Sequence, residues 1–412
     1  MKLTDKEAIQ VIIGSITAPK GFYATGKHIG IKRKRKDLTL VKTEVPATAA
    51  GVFTQNAVKA PPVLWNQKVV HNKVSGIVVN SGIANSCTGE QGVKNTELMA
   101  ETYAECLNTD KNSVIVSSTG VIGSQLPMEV IVPGIKNTFS KLNNTEKSAH
   151  KAAKGIMTTD KFTKEIAVEI ELGGKSVKIG AIAKGSGMIH PNMATMLAFV
   201  TTDADISRDL LQETLKKSVD DSYNMISVDG DTSTNDMVIV LANGQAQNKP
   251  ITEKNEDYDK FRQALDFVNE YLAKQIVKDG EGVTKFLEIN VQGAYSNEDA
   301  RKIAKSVINS NLFKTAMFGE DANWGRILCA AGYSGANFDA SRASIEFSSS
   351  KGSVKTLING EPVVFDEEMV KTVLKEREIK VLLSFEEGTS EATAWGCDLS
   401  YEYVKINGEY RT

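Results

Sequence analysis

The chain has 412 residues, 41% of them hydrophobic and 24% charged, with a formal net charge of −2. That length exceeds one simple core and predicts two or three domains. A balance so near neutrality excludes a global attraction for nucleic acid or an anionic membrane, and no run of about 18 apolar residues offers a membrane span. The partner is expected to be a small molecule or another protein.

Taken in chain order, the N-terminal stretch carries Asp5 and Glu7, and its apolar run from Ala8 to Ile13 is short and lacks a small-x-small site. Neither a secretory leader nor a transit segment is expected from it. The basic run Lys32 to Lys36 is followed by Asp37 and reads as a solvated face. Gly76 to Asn80 and Ser113 to Ser117 are short β-branched runs between turn formers. The stretch between them, Val93 to Leu107, has helical spacing. Ala167 to Leu172 alternates, turns at Gly173-Gly174 and continues through Val177 and Ile179, a hairpin pattern.

A helix is predicted after Ser207, with Leu210, Leu211, Leu215 and Val219 on its apolar face, and Met237 to Ala242 is a wholly apolar strand. The longest helix is predicted from about Glu256 to Val277, after a loop over Asn243 to Asn255. From Phe286 onward short strands alternate with two helices, about Asn297 to Val307 and Asp366 to Lys375, so residues 285–412 are expected to form a smaller α/β domain. The cysteines (Cys87, Cys106, Cys329, Cys397) form no CxxC pair, and the four histidines have no metal-ligand spacing. Reduced cysteines, a cytoplasmic location and no metal are the expectation.

The chemistry is concentrated in Lys184 to Leu197, KGSGMIHPNMATML. Two glycines flank Ser186, which implies a close backbone approach, and the pattern fits neither GxGxxG nor GxxxxGK[ST]. His190-Pro191-Asn192 interrupts regular structure just before Met193-Ala194-Thr195. A strained turn ahead of an Ala-Thr bond is what self-cleavage needs. The Thr195 hydroxyl can then attack the Ala194 carbonyl, the ester can hydrolyse, and the freed α-amine, with a reference pKa of about 7.7 to 8.0, can serve as base for its own hydroxyl. A bare Ala-Thr bond beside a turn is nonetheless more often plain structure.

KGSGMIHPNMATMLAFVTTDA resembles the signature of the ornithine acetyltransferases, the glutamate N-acetyltransferases of arginine biosynthesis. The resemblance extends through ITAPKGF, NSGIANSCTGEQG, SSTGVIG, IMTTD, VDGDTSTND, VKDGEGVTKF, FGEDANWGRI and WGCDLSYEYVKINGEYRT, in family order along nearly the whole chain. Two positions depart from it: Ile83, where a polar Asn is expected, and Lys161, where another Thr is expected.

The resemblance implies an α/β fold of mixed sheets sandwiched by helices, the self-processing N-terminal-nucleophile type of the ArgJ/DmpA-like superfamily. Cleavage between Ala194 and Thr195 would give an α chain, 1–194, and a β chain, 195–412, that stay intertwined as an α2β2 assembly. Thr195 takes acetyl from N-acetylornithine and passes it to glutamate, with Thr119 and Gly120 as the oxyanion hole. Thr158, Lys184, Thr195, Glu281, Asn407 and Thr412 are the implied substrate contacts, with Lys184 suited to a carboxylate and Glu281 to an ornithine ammonium. No cofactor is implied; acetyl-CoA stays open as a co-substrate.

On pattern alone each residue also has a plain structural reading. Thr119-Gly120 could end a strand, Lys184 could be a loop lysine, Glu281 could close a helix, and Asn407 and Thr412 could be a frayed terminus. Two rival functions share the fold: a self-processing aminopeptidase or amidase, and a non-catalytic binding protein.

Overall fold

The computed structural model describes residues 9–190 and 196–409. It divides into two compact units. The first comprises residues 9–185, 196–224 and 231–276 of the described chain, and the second comprises Ser186–His190, Met225–Gly230 and residues 277–409.

The strands run β1 (Gln10–Ile12), β2 (Phe22–Lys27), β3 (Leu38–Phe53), β4 (Val74–Ile83), β5 (Val114–Val121), β6 (Lys164–Leu172), β7 (Lys175–Lys184), β8 (Leu197–Thr202), β9 (Ile226–Ser227) and β10 (Met237–Ala242). All but β9 form the sheet of the first unit, in the order β1-β6-β7-β8-β10-β3-β4-β5 with β2 beside β3. The sheet is mixed: β4–β5 and β8–β10 are parallel, the other pairs antiparallel. The apolar strand β10 lies between β8 and β3 with all six residues buried, as expected for a strand covered on both faces.

β3 joins the two halves of the sheet. Leu38–Thr43 pairs with β2 and β4, whereas Thr48–Phe53 pairs with β10, and the β3–β4 register shifts between Lys42 and Ala47. Pro46 sits in that gap, where its missing N–H interrupts no ladder bond. One buried cluster unites Ile77, Val79 and Ile115 of the β4–β5 region with Ile182, Leu197, Phe199, Ile239 and Leu241 of the other half. The opposite face of β4–β5, through Val78, Val114 and Val116, packs on Met99, Tyr103, Ile131 and Ile135 of helices Gly89–Leu107 and Met128–Phe139. The helix Arg208–Asp221 is tied to β3 by Gln212, which exchanges bonds of 3.1 Å with Gly51 N–H and carbonyl.

The second unit has a mixed sheet of β9 with β11 (Phe286–Ala294), β12 (Ser344–Ser349), β13 (Gly352–Ile358), β14 (Glu361–Pro362), β15 (Glu378–Ser384) and β16 (Ser390–Cys397), ordered β14-β13-β12-β15-β11-β16-β9. Helix Asn297–Asn309 buries Ala300, Ile303, Ala304, Val307 and Ile308 at spacings of three and four, and packs on β11 and β16.

Two sequence expectations change. The second unit starts at Val277 rather than about 285, and it takes in two short earlier segments; chain order cannot reveal a return to another unit. Its tail also has more helix than expected, since Asn311–Phe318, Trp324–Gly332 and Tyr401–Gly408 are helical too. These eight- and nine-residue helices are too short to display a clear period, and caps at Ser310, Asn323 and Ser400 define their starts. Among the described residues no helix is long and apolar enough to cross a membrane.

Candidate active site

In the first unit, Thr119 and Gly120 stand at the carboxyl end of β5, beside Ser81 and Gly82 of the parallel strand β4. Carboxyl ends of parallel strands are where α/β sheets present functional groups. The close approach is obligatory: a Cβ on Gly120 would lie 2.3 Å from the carbonyl carbon of Gly82, and φ there is +132°. Thr119 is 5% exposed, and among the described residues its hydroxyl meets no hydrogen-bond partner.

Buried amides fix the backbone on either side of this pair. Asn235 Nδ2 donates to the carbonyls of Ala84 (2.5 Å) and Ser118 (2.9 Å). Ser118 donates to Asn80 Oδ1 at 2.6 Å, and Asn80 Nδ2 to the Ile83 carbonyl at 2.8 Å. Thr234 and Ser86 complete the network, with a bond of 2.8 Å between their hydroxyls. The end of VDGDTSTND thus braces the turns NSGIANS and SSTG.

A second group in the same unit is organised by Asp160, which is fully buried. Its carboxylate accepts from Lys164 Nζ (2.7 Å), Gly185 N–H (2.9 Å) and Thr158 N–H (2.9 Å). Burial alone would raise its pKa. The charges of Lys164 and Lys184 outweigh that and hold it at about 2. Thr158 and Lys184, far apart in sequence, are therefore joined through one carboxylate.

Around Asp160 the chain is rich in cations. Lys32 Nζ donates to the Met157 carbonyl at 2.7 Å, and Arg35 donates to the carbonyls of Thr158 and Asp160, both at 3.1 Å. Lys32 is lowered to about 8, first by burial, with Arg35 and Lys184 reinforcing that and Asp37 and Asp160 opposing it. Its aliphatic stem passes over Gly82, the neighbour of Gly120. The basic run is therefore not merely a solvated face, because two of its members dock on the IMTTD backbone.

In the second unit, Glu281 lies in the turn after the long helix and is 6% exposed. Its N–H donates to the Ser186 carbonyl at 3.1 Å, and its Oε2 accepts from Asn407 Nδ2 at 2.9 Å. A Cβ on Gly187 would come within 2.4 Å of that carboxylate, which is the close approach KGSG implies. Asn407 is exposed on helix Tyr401–Gly408, whose Ser400 cap donates to the Gly282 carbonyl at 2.6 Å.

The segment ahead of the Ala-Thr bond is clamped in this unit. Asp229 accepts from the N–H groups of Met188 (2.6 Å) and Ile189 (2.8 Å), and the Ile189 carbonyl accepts from Val228 N–H at 2.6 Å. Met188 is held at φ +56°, a left-handed conformation uncommon for a residue with a side chain. His190 Nδ1 lies 3.2 Å from Ser227 Oγ. Burial, then Lys305, lowers its pKa to about 4 against the pull of Asp229, so at neutral pH the ring is uncharged.

Ala194, Thr195 and Thr412 lie outside the described residues. The residue after Thr195, Met196, is buried and its carbonyl accepts from Met237 N–H at 3.1 Å. Sequence reasoning missed Asp160, Lys32 and Arg35, and it marked Asn235 and Asp229 only as members of an active-site or structural turn. Asp160, Asn235 and Asp229 sit inside blocks it had already marked, IMTTD and VDGDTSTND, and Asp160 is the one carboxylate of the first.

Two mixed sheets with flanking helices, and polar side chains gathered at strand ends and turns, make this an α/β protein of the enzyme-site kind. A family model described as the ArgJ family matches residues 23–412. The arginine biosynthesis bifunctional protein ArgJ of Thermotoga neapolitana is 53% identical over 397 residues, 96% of this chain and 99% of that one. The protein of the same name from Caldanaerobacter subterraneus is 51% identical over 405 residues, 98% of this chain and all of that one. Among solved structures, an ornithine acetyltransferase from Mycobacterium tuberculosis complexed with ornithine is 38% identical, covers 45% of this chain and 100% of its own, and has a TM-score of 0.43. The chain belongs to the ArgJ family.

Proposed function

We propose that this protein is a glutamate N-acetyltransferase of arginine biosynthesis that moves acetyl from N-acetylornithine to glutamate through an acetyl-Thr195 enzyme. The observation that carries the reading is the family match, 23–412, which spans each motif that holds a proposed site residue. The Thr195 hydroxyl attacks the acetyl carbonyl while its own α-amine takes the proton. The Thr119 hydroxyl and Gly120 N–H donate to the oxyanion that forms. Collapse expels ornithine as its amine, leaving acetyl on Thr195 Oγ. The amine of glutamate then attacks that ester, and N-acetylglutamate leaves. Lys184, with Lys32 beside Asp160, supplies positive charge for the α-carboxylate, and Glu281 supplies negative charge for the ornithine ammonium.

The nucleophile is released by cleavage between Ala194 and Thr195, and the α and β chains assemble as α2β2 in the cytoplasm. Acetyl-CoA is a second donor, in keeping with the bifunctional name of the relatives. Intact mass spectrometry tests the core of the reading. Wild type is expected as two fragments, with one acetyl added to the β chain on incubation with N-acetylornithine, and Thr195→Ala as one uncut, unacetylated chain. Acetate release that does not depend on glutamate would replace the transferase with an amidase.

A further inference from the structure

A cavity of about 510 Å³ opens in the first unit between β2, the loop 140–145 and the helix Glu146–Ile156. Lys27, Lys36, Lys141, Lys147 and Lys151 line it, together with hydroxyl and amide groups, and no carboxylate does. Lysines on a protein surface are commonly found near acidic partners. Here none of the five side chains has an ion-pair or hydrogen-bond partner among the described residues. Like charges that converge repel one another, and the cost shows at Lys36: burial, then Lys151 and Lys154, lowers its pKa against the opposing charge of Asp37. The walls are held in place. Ala24 and Asn143 exchange backbone bonds of 3.0 and 3.3 Å, which fasten the loop to β2, and Asn143 Oδ1 accepts from Thr145 N–H at 3.0 Å.

We infer that this cavity is a binding site for a multiply phosphorylated small molecule, separate from the acetyl-transfer residues. Its volume falls within the roughly 300–1,000 Å³ of small-molecule sites. Five lysines suit a ligand with several phosphate charges better than one with a single carboxylate, since an ammonium binds phosphate as a point charge without demanding planar geometry. The concave shape and the overall charge of −2 speak for a small ligand rather than a nucleic acid strand. Next to it, and sharing Lys36, a second cavity of about 460 Å³ is lined by Arg35, Lys154 and Lys161 as well as by Met157 and Phe162. A ligand long enough to pass Lys36 would meet further cations there, beside the side chains of Met157 and Phe162.

The test is calorimetric titration of the purified protein with inorganic pyrophosphate, coenzyme A and a 20-nucleotide single strand, in low salt. Pyrophosphate and coenzyme A are both expected to bind, and Lys147→Glu/Lys151→Glu to weaken them by about tenfold or more, roughly 1.4 kcal/mol. Acetyl transfer from N-acetylornithine should be unchanged in that variant, which also shows that it folds. Lys141→Glu, in the loop, is expected to weaken binding as well. Coenzyme A binding that exceeds pyrophosphate and falls in both variants would place its nucleotide arm in the second cavity, and equal binding that falls in both would place the phosphates alone; both support the site. No heat with either probe at millimolar concentration, undiminished binding in both variants, or binding of the strand alone would overturn it.

Discussion

The two units hold their proposed site residues in different ways. In the first, Thr119, Gly120, Thr158 and Lys184 stand at strand ends and around a fully buried carboxylate that accepts three hydrogen bonds. In the second, Glu281 sits in a turn and its side chain meets Asn407, exposed on a terminal helix, through one bond of 2.9 Å. Buried, saturated polar networks fix geometry and are costly to break, whereas exposed single bonds add little stability and leave room to adapt. The first unit thus holds its proposed site residues in one geometry, and the second leaves Glu281 and Asn407 room to adapt.

The largest effect expected is from Asp160→Asn. It removes the Asp160 carboxylate from its buried pair with Lys164, which has no exposed surface, and removing one partner of a buried pair costs about 3–5 kcal/mol. Urea unfolding measures it, and a loss no larger than that of an exposed pair would erase the contrast. Next comes Thr119→Ala. Losing one oxyanion donor lowers kcat by about 10²–10³ with stability nearly unchanged, so a loss confined to KM would remove Thr119 from that role.

A smaller effect depends on pH. The ammonium of Lys32 is lowered to about 8, so the cationic group around Asp160 loses charge as pH rises through that value. The KM for N-acetylornithine is expected to climb above pH 8 in wild type. In Lys32→Met it should be higher at pH 7 and lack that step, and a step at the same pH in the variant would assign the titration elsewhere. The smallest effect is from Asn407→Ala, with a KM increase of a few-fold, worth about 1 kcal/mol, and no change in the urea midpoint. A drop in stability there comparable to that of Asp160→Asn would make the two units alike.

Much of the fold was legible in the sequence. The hairpin across Gly173-Gly174, the apolar strand Met237 to Ala242 and the helices after Ser207 and near Glu256 were expected, because each repeats its period long enough to be read. The short helices Asn311–Phe318 and Trp324–Gly332 were not, since their starts depend on caps rather than on periodicity. At the site, residue types in motifs were legible and their partners were not. Asp160 reads as one more polar residue until Lys164, Gly185 and Thr158 are seen to converge on it. The return of Ser186–His190 and Met225–Gly230 to the second unit is likewise a fact of folding in space, invisible to a reading along the chain.

The pairing of β7 with β8 runs from Ile179↔Thr202 to Lys184↔Leu197, and β10 pairs with both β8 and β3. A cut after Ala194 would fall between β7 and β8, so the fragments would share a single ladder and a single core. Such a protein is nicked, not divided. Its native state would hold together without any linker, but recovery from heat would become a meeting of two molecules, slower the more dilute the solution. Genes encoding the two fragments separately would face the same search at every round of synthesis, whereas one continuous chain folds first and is opened afterwards.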